Sequence, residues 1–153
     1  MGFKVLKYLL LSAVAMSCFS SVRSQEPYPA KWRYNLKRDA TGQYQLVFHL
    51  ELERGWHIRA NNVNNDTLMM TPVFSFTPND QLELKGDIRP QGIMETVKVD
   101  SAGTFEVYSY KVLYTQGLAA APGTKVSGRY KYQVCNSSRC LAPKTEKFAF
   151  IMK

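Results

Sequence analysis

From Gln43 to Glu53 the chain alternates with a period of two. Tyr44, Leu46, Phe48, Leu50 and Leu52 fall on one side, and Gln45, His49, Glu51 and Glu53 on the other, with Val47 the exception. Successive side chains of a strand point to opposite faces, so this segment reads as a half-buried antiparallel strand. A turn at Asp39-Ala40-Thr41-Gly42 precedes it and makes Lys31 to Lys37 its expected hairpin partner. Gly55 breaks the run, and Trp56 and Ile58 resume it.

The rest of the chain repeats this theme. Short strands are expected at Val73–Phe76 and Leu82–Lys85, separated by the turn residues Pro78, Asn79 and Asp80. A polar stretch runs from Val97 to Thr104. A long strand follows from Phe105 to Thr115, with Tyr108, Tyr110, Val112 and Tyr114 on one side. After a Pro122-Gly123 turn come strands at Lys125–Val134 and Glu146–Met152, and Asn61–Thr67 reads as a polar loop. Seven to nine short strands with frequent turns and no amphipathic helix predict an all-β, immunoglobulin-like β-sandwich in a single domain.

Part of the 153 residues is not fold. Lys4 and Lys7 head an apolar run from Tyr8 to Phe19, followed by small and polar residues, which is the build of a secretory signal too short to span a bilayer. Cleavage after Ser24 makes residues 1–24 a signal peptide and 25–153 the exported domain. A competing reading keeps Cys18 as an acylated lipoprotein cysteine, although no Leu stands three residues before it. The formal charge of +8 falls to +5 when Lys4, Lys7 and Arg23 are removed. The remaining basic residues are scattered, which argues against a nucleic-acid partner. With two histidines, and His49 on a polar strand face, no metal site is expected.

Export leaves two cysteines, Cys135 and Cys140, in a compartment that permits disulfides. If the preceding strand runs as far as Cys135, its side chain joins the basic, solvent-facing set of Lys125, Arg129, Lys131 and Gln133. A bridge this short is a weak staple. Chain entropy gives it about 2 kcal/mol, against about 5 kcal/mol for a loop of a hundred residues. An exposed bridge is also the exchangeable kind, and Arg139 and Lys144 would favour a thiolate electrostatically. A purely structural disulfide remains the alternative from spacing alone.

The stretch Tyr132-Gln-Val-Cys135-Asn-Ser-Ser-Arg-Cys140-Leu-Ala-Pro143 resembles the active-site segment of the N-terminal periplasmic domain of the DsbD family. Glu53-Arg-Gly55-Trp56-His57-Ile58 is similar to that family's segment of Gly, an aromatic and then His or Tyr. The cysteine spacing is one residue shorter than in the best-known members. The resemblance implies an immunoglobulin-like fold and thiol–disulfide exchange with no cofactor beyond the redox-active pair Cys135 and Cys140. It makes Cys140 the nucleophile that forms mixed disulfides, with Tyr132 and Pro143 at matching flanking positions. It also implies an aromatic cap over the sulfurs, for which Phe105, after Asp100-Ser-Ala-Gly-Thr, is the candidate.

The partners implied are a membrane-embedded thiol reductase of DsbD or CcdA-like type and periplasmic thioredoxin-fold proteins, met by a monomer in the periplasm. The rival from another class is an exported immunoglobulin-like binding or adhesion module with an inert disulfide. Asn65-Asp-Thr67 and Asn136-Ser-Ser138 are formal glycosylation sequons and leave a secreted eukaryotic domain as a third reading.

Overall fold

The computed structural model describes residues 27–60, 70–99 and 103–153. The signal segment with Cys18, the whole Asn61–Thr67 loop including Asn65, and Asp100 to Ala102 lie outside the described residues. Eight strands are present: β1 (Ala30–Arg38), β2 (Tyr44–Leu52), β3 (His57–Arg59), β4 (Val73–Phe76), β5 (Leu82–Val99), β6 (Gly103–Ala120), β7 (Lys125–Tyr132) and β8 (Lys144–Ile151). No helix occurs among the described residues.

The strands form two antiparallel sheets, the immunoglobulin-like sandwich expected from periodicity. In the larger sheet β1 pairs with β2, β2 with β6, and β3 and β5 also with β6. β2 pairs with residues 111–118 of β6 and β3 with residues 107–109. β3 therefore continues the line of β2 after an excursion through Gly55, whose φ of +83° suits a residue without a Cβ. The smaller sheet has the order β4-β7-β8.

The alternating face of β2 turns inward as its pattern requires. Leu46, Phe48 and Leu50 are fully buried, and Phe48 packs against Phe74, Tyr130 and Phe148 of the smaller sheet. Trp32 of β1 stacks on Tyr114 and meets Tyr130 and Tyr132 at ring separations of 4.7 and 5.0 Å. The core between the sheets is thus largely aromatic. Val47, the exception in the pattern, is buried on the outer face of its sheet.

Two elements depart from expectation. β6 does not stop at Thr115, because Gln116 sits in the core row opposite Leu46 with its amide satisfied. Its Nε2 donates to the carbonyl oxygens of Lys85 and Gly86, where the β5 register shifts. β5 does not stop at Lys85 either. Its far half runs through residues 88–99 as a mostly exposed edge strand held by β6. A second register shift at Gly92/Ile93 is met on β6 by Tyr110, in the left-handed region with φ +64°. Tyr110 is consequently exposed, while Tyr108, Val112 and Tyr114 of the same expected stripe enter the core.

Candidate functional site

The cysteines lie where the chain changes sheets. β7 ends at Tyr132, its last pair with β8 being Tyr132–Lys144. Val134 enters the core, and Cys135 then crosses to the larger sheet, exchanging both backbone hydrogen bonds with His57 of β3 at 2.9 and 3.0 Å. Cys135 in turn faces Cys140 across a tight hairpin, flanked by bonds from Leu141 N–H to the Val134 oxygen and from Asn136 N–H to the Arg139 oxygen. That makes Cys135 and Cys140 a non-hydrogen-bonded pair, the closer of the two antiparallel spacings. Their Cα atoms are 4.0 Å apart and a disulfide joins them.

The four residues between the cysteines are held by Asn136. Its Oδ1 accepts from the N–H groups of Ser138 and Arg139, both at 2.9 Å, and this is the usual role of Asn in a turn. The sequon asparagine is therefore the loop's own framework.

The expectation that Cys135 would emerge with the solvent-facing basic residues requires correction. Its relative exposure is 2%, because the strand that set the parity ends three residues earlier. The row of Arg129 and Lys131 does not reach it. Cys135 is covered by Phe105 and Val107, with Val97 beside them, on the outer face of the larger sheet. Cys140 is exposed. The bridge thus joins one buried and one exposed cysteine.

The register arranges the surroundings in rows. Ile93, Ser109, His57, Cys135 and Cys140 oppose one another in turn across β5, β6, β3 and the hairpin. Glu95, Val107 and Arg59 form the next row, then Val97 and Phe105. Residues directly opposed share a face and neighbouring rows on that face are two residues apart, so all these side chains project to one side. Arg59 is 2% exposed and its guanidinium lies 4.9 Å from the Phe105 ring centroid. Ser109 Oγ donates to Glu95 Oε2 at 2.6 Å. Burial holds the His57 imidazole below the ordinary histidine pKa, and the Glu95 carboxylate pulls it partly back.

Of the residues singled out from sequence, Cys135, Cys140, Phe105 and Arg139 are gathered here. Phe105 is a paired strand residue opposite Val97 and touches the shielded sulfur's residue. Tyr132 is not at the bridge. It is fully buried in the core, and its hydroxyl donates to Glu146 Oε1 at 2.8 Å. Lys144 is directed to the same carboxylate, with Nζ 3.0 Å from Glu146 Oε1, and lies over the Tyr28 ring. Pro143 is exposed in the segment that returns to β8.

Glu146 therefore collects Lys144, Tyr132 and Tyr130, whose hydroxyl donates to Oε2 at 2.8 Å. Burial raises the Glu146 pKa, but these three hydrogen bonds outweigh it and the net shift is downward. Burial and the same carboxylate push both tyrosine hydroxyls upward. An open groove beside the hairpin is lined by Tyr28, Trp56, Arg139, Leu141 and Lys144. Among the described residues no group of three or more His, Cys, Asp and Glu side chains is placed to hold a metal. His57 entered the sequence reading only within the Gly55-Trp56-His57 resemblance, and Arg59, Glu95 and Ser109 carried no site signal, because only the register brings them onto the face that Cys135 joins.

A family model described as thiol:disulfide interchange protein DsbD, N-terminal, matches residues 22–151. Among solved structures, the N-terminal periplasmic domain of ScsB from Proteus mirabilis is similar with a TM-score of 0.57 and 13% identity. The match covers 82% of this chain and 47% of that one, so the chain spans about half of that domain's length. The N-terminal domain of Neisseria meningitidis DsbD in the reduced form is similar with a TM-score of 0.51 and 18% identity, over 69% of this chain and 75% of that one. At these identities the structural likenesses speak for the fold. No curated protein sequence matches the chain.

Proposed function

This chain belongs to the DsbD N-terminal domain family, which takes part in thiol–disulfide interchange, and on that premise we propose that it relays reducing equivalents through Cys135 and Cys140. The observation that carries this reading is the asymmetry of the bridge: Cys140 open to a visiting chain, Cys135 shielded beneath Phe105 and Val107.

In the reduced protein the Cys140 thiolate attacks a sulfur of the partner's disulfide. The Cys140–partner bond forms, and the partner's other sulfur leaves with the electron pair. Cys135, deprotonated, then attacks Cys140. The Cys135–Cys140 disulfide closes, and the partner departs with both sulfurs reduced. Two electrons pass between sulfurs, so no cofactor is required. Arg139 in the hairpin is the cation nearest in sequence to the Cys140 thiolate. Phe105 limits access to Cys135 between encounters. The groove along Tyr28, Trp56 and Leu141 offers an apolar seat for the segment that carries the partner's sulfur.

The electron donor in this reading is a membrane-embedded thiol reductase and the acceptors are periplasmic thioredoxin-fold proteins, with export by the N-terminal signal. A Cys135→Ser variant should accumulate a covalent adduct with its partner in envelope extracts, released by reductant, whereas Cys140→Ser should not. No adduct from a folded Cys135→Ser protein would overturn the reading. A disulfide that stays closed far below about −300 mV would instead support the structural bridge of a binding module.

A further inference from the structure

We infer that His57, beside the Glu95–Ser109 pair, is the base that takes the proton from Cys135 when that cysteine closes the disulfide. This rests on the exchange chemistry proposed above and assigns a residue to its second step.

The need for a base follows from burial. Cys135 is shielded by Phe105 and Val107, and an apolar setting disfavours a thiolate. The exposed Cys140 can lose its proton to water, but the covered Cys135 has no such route. Apart from Cys140, the titratable side chain opposite it among the described residues is His57, locked there by two backbone hydrogen bonds, with its side chain on the same face. His57 is largely neutral near pH 7, because burial depresses its pKa, so it is in the accepting form.

The charged groups around His57 suit that task. On its own strand Arg59 lies two residues along the same face, over Phe105. From β5, Glu95 faces it and favours the imidazolium once the proton arrives. Ser109 of β6, directly opposite His57, holds Glu95 in place. Lys111, further along β6, is paired in register with Glu51 of β2. From the hairpin come Cys135 itself and Arg139.

The step balances as follows. The Cys135 Sγ–H proton moves to the imidazole, and the Cys135 thiolate attacks the Cys140 sulfur of the mixed disulfide. The Cys140–partner bond breaks, and the partner sulfur leaves with the electron pair. It takes up a proton, which the imidazolium can return directly or through solvent.

The test uses the reduced full domain and 5,5′-dithiobis(2-nitrobenzoate) under single turnover, followed by absorbance. One thionitrobenzoate leaves when Cys140 attacks and a second when Cys135 resolves the mixed disulfide. In wild type the second release should rise through an inflection below the ordinary histidine value. In His57→Gln the second release should slow by about 10- to 100-fold near pH 7, within the range of general-base effects, and lose that inflection, while the first keeps its rate. Glu95→Gln should move the inflection to lower pH, since the group that favours the imidazolium is gone. A second release in both variants with wild-type rate and profile overturns the inference, even if wild type releases two equivalents and the exchange reading stands. Fewer than two releases from the reduced wild type would bring down the exchange reading as well. Should His57→Gln fail to fold, the Glu95→Gln profile decides.

Discussion

At the scale of single residues, the two ends of one disulfide have opposite environments. After reduction, a small alkylating reagent should modify Cys140 well before Cys135, by at least tenfold in rate, as read by mass spectrometry of timed samples. Equal rates would mean that Phe105 and Val107 do not shield the inner sulfur. Glu146 makes a second residue-scale prediction. Its folded-state pKa lies below its unfolded value, so its contribution to stability is present above the unfolded value. That contribution is lost as pH falls through the folded value. Glu146→Gln should therefore flatten the acid limb of the stability–pH curve and lower stability at neutral pH, measured by urea midpoints between pH 3 and 7. Two core tyrosine hydroxyls would lose their charged acceptor in that variant, which makes the loss larger than an exposed ion pair would give.

At the scale of elements, β7 is the strand on which both core and site depend. Its Gly128 lies opposite Phe148 of β8 and Phe76 of β4. A Cβ at Gly128 would come within 2.3 Å of the Ser75 oxygen and 2.5 Å of Phe148 Cζ. Backbone on one side and a core ring on the other leave no cheap relaxation. Gly128→Ala should cost about 2–4 kcal/mol in urea unfolding, whereas Gly123→Ala, in an open turn, should cost less and only through its backbone angle. β2 was legible because its two faces differ in polarity. The far half of β5 was not, because Arg89, Pro90, Glu95 and Lys98 interrupt the alternation, and pairing with β6 makes it a strand. Pro90 is tolerated there because an edge strand does not need every N–H. Tyr110 was misplaced for a related reason: a bulge changes the direction of a side chain without leaving a mark on the alternation.

At the scale of the whole molecule, stability belongs to the aromatic interior, and the disulfide adds little. Reduction should lower stability by only about 2 kcal/mol and leave the protein folded, since the loop that the bridge closes is short. Phe48→Ala should cost about 3–5 kcal/mol, because Phe48 meets rings from both sheets. Urea unfolding of the oxidised, reduced and Phe48→Ala proteins compares the two, and a reduced protein that unfolds outright would reverse the ranking. The strand period, the turn residues and the cysteine pair were readable from the chain alone. Each is a local property, set by alternation over a few residues or by backbone preferences at Gly, Pro and Asn. Where Cys135 points was decided only by tertiary structure. The chain ends its pairing with β8 at Tyr132, and Cys135 pairs with His57 on the other sheet. A change of sheets cancels the parity carried along β7, and no residue near Cys135 records which strand will receive it.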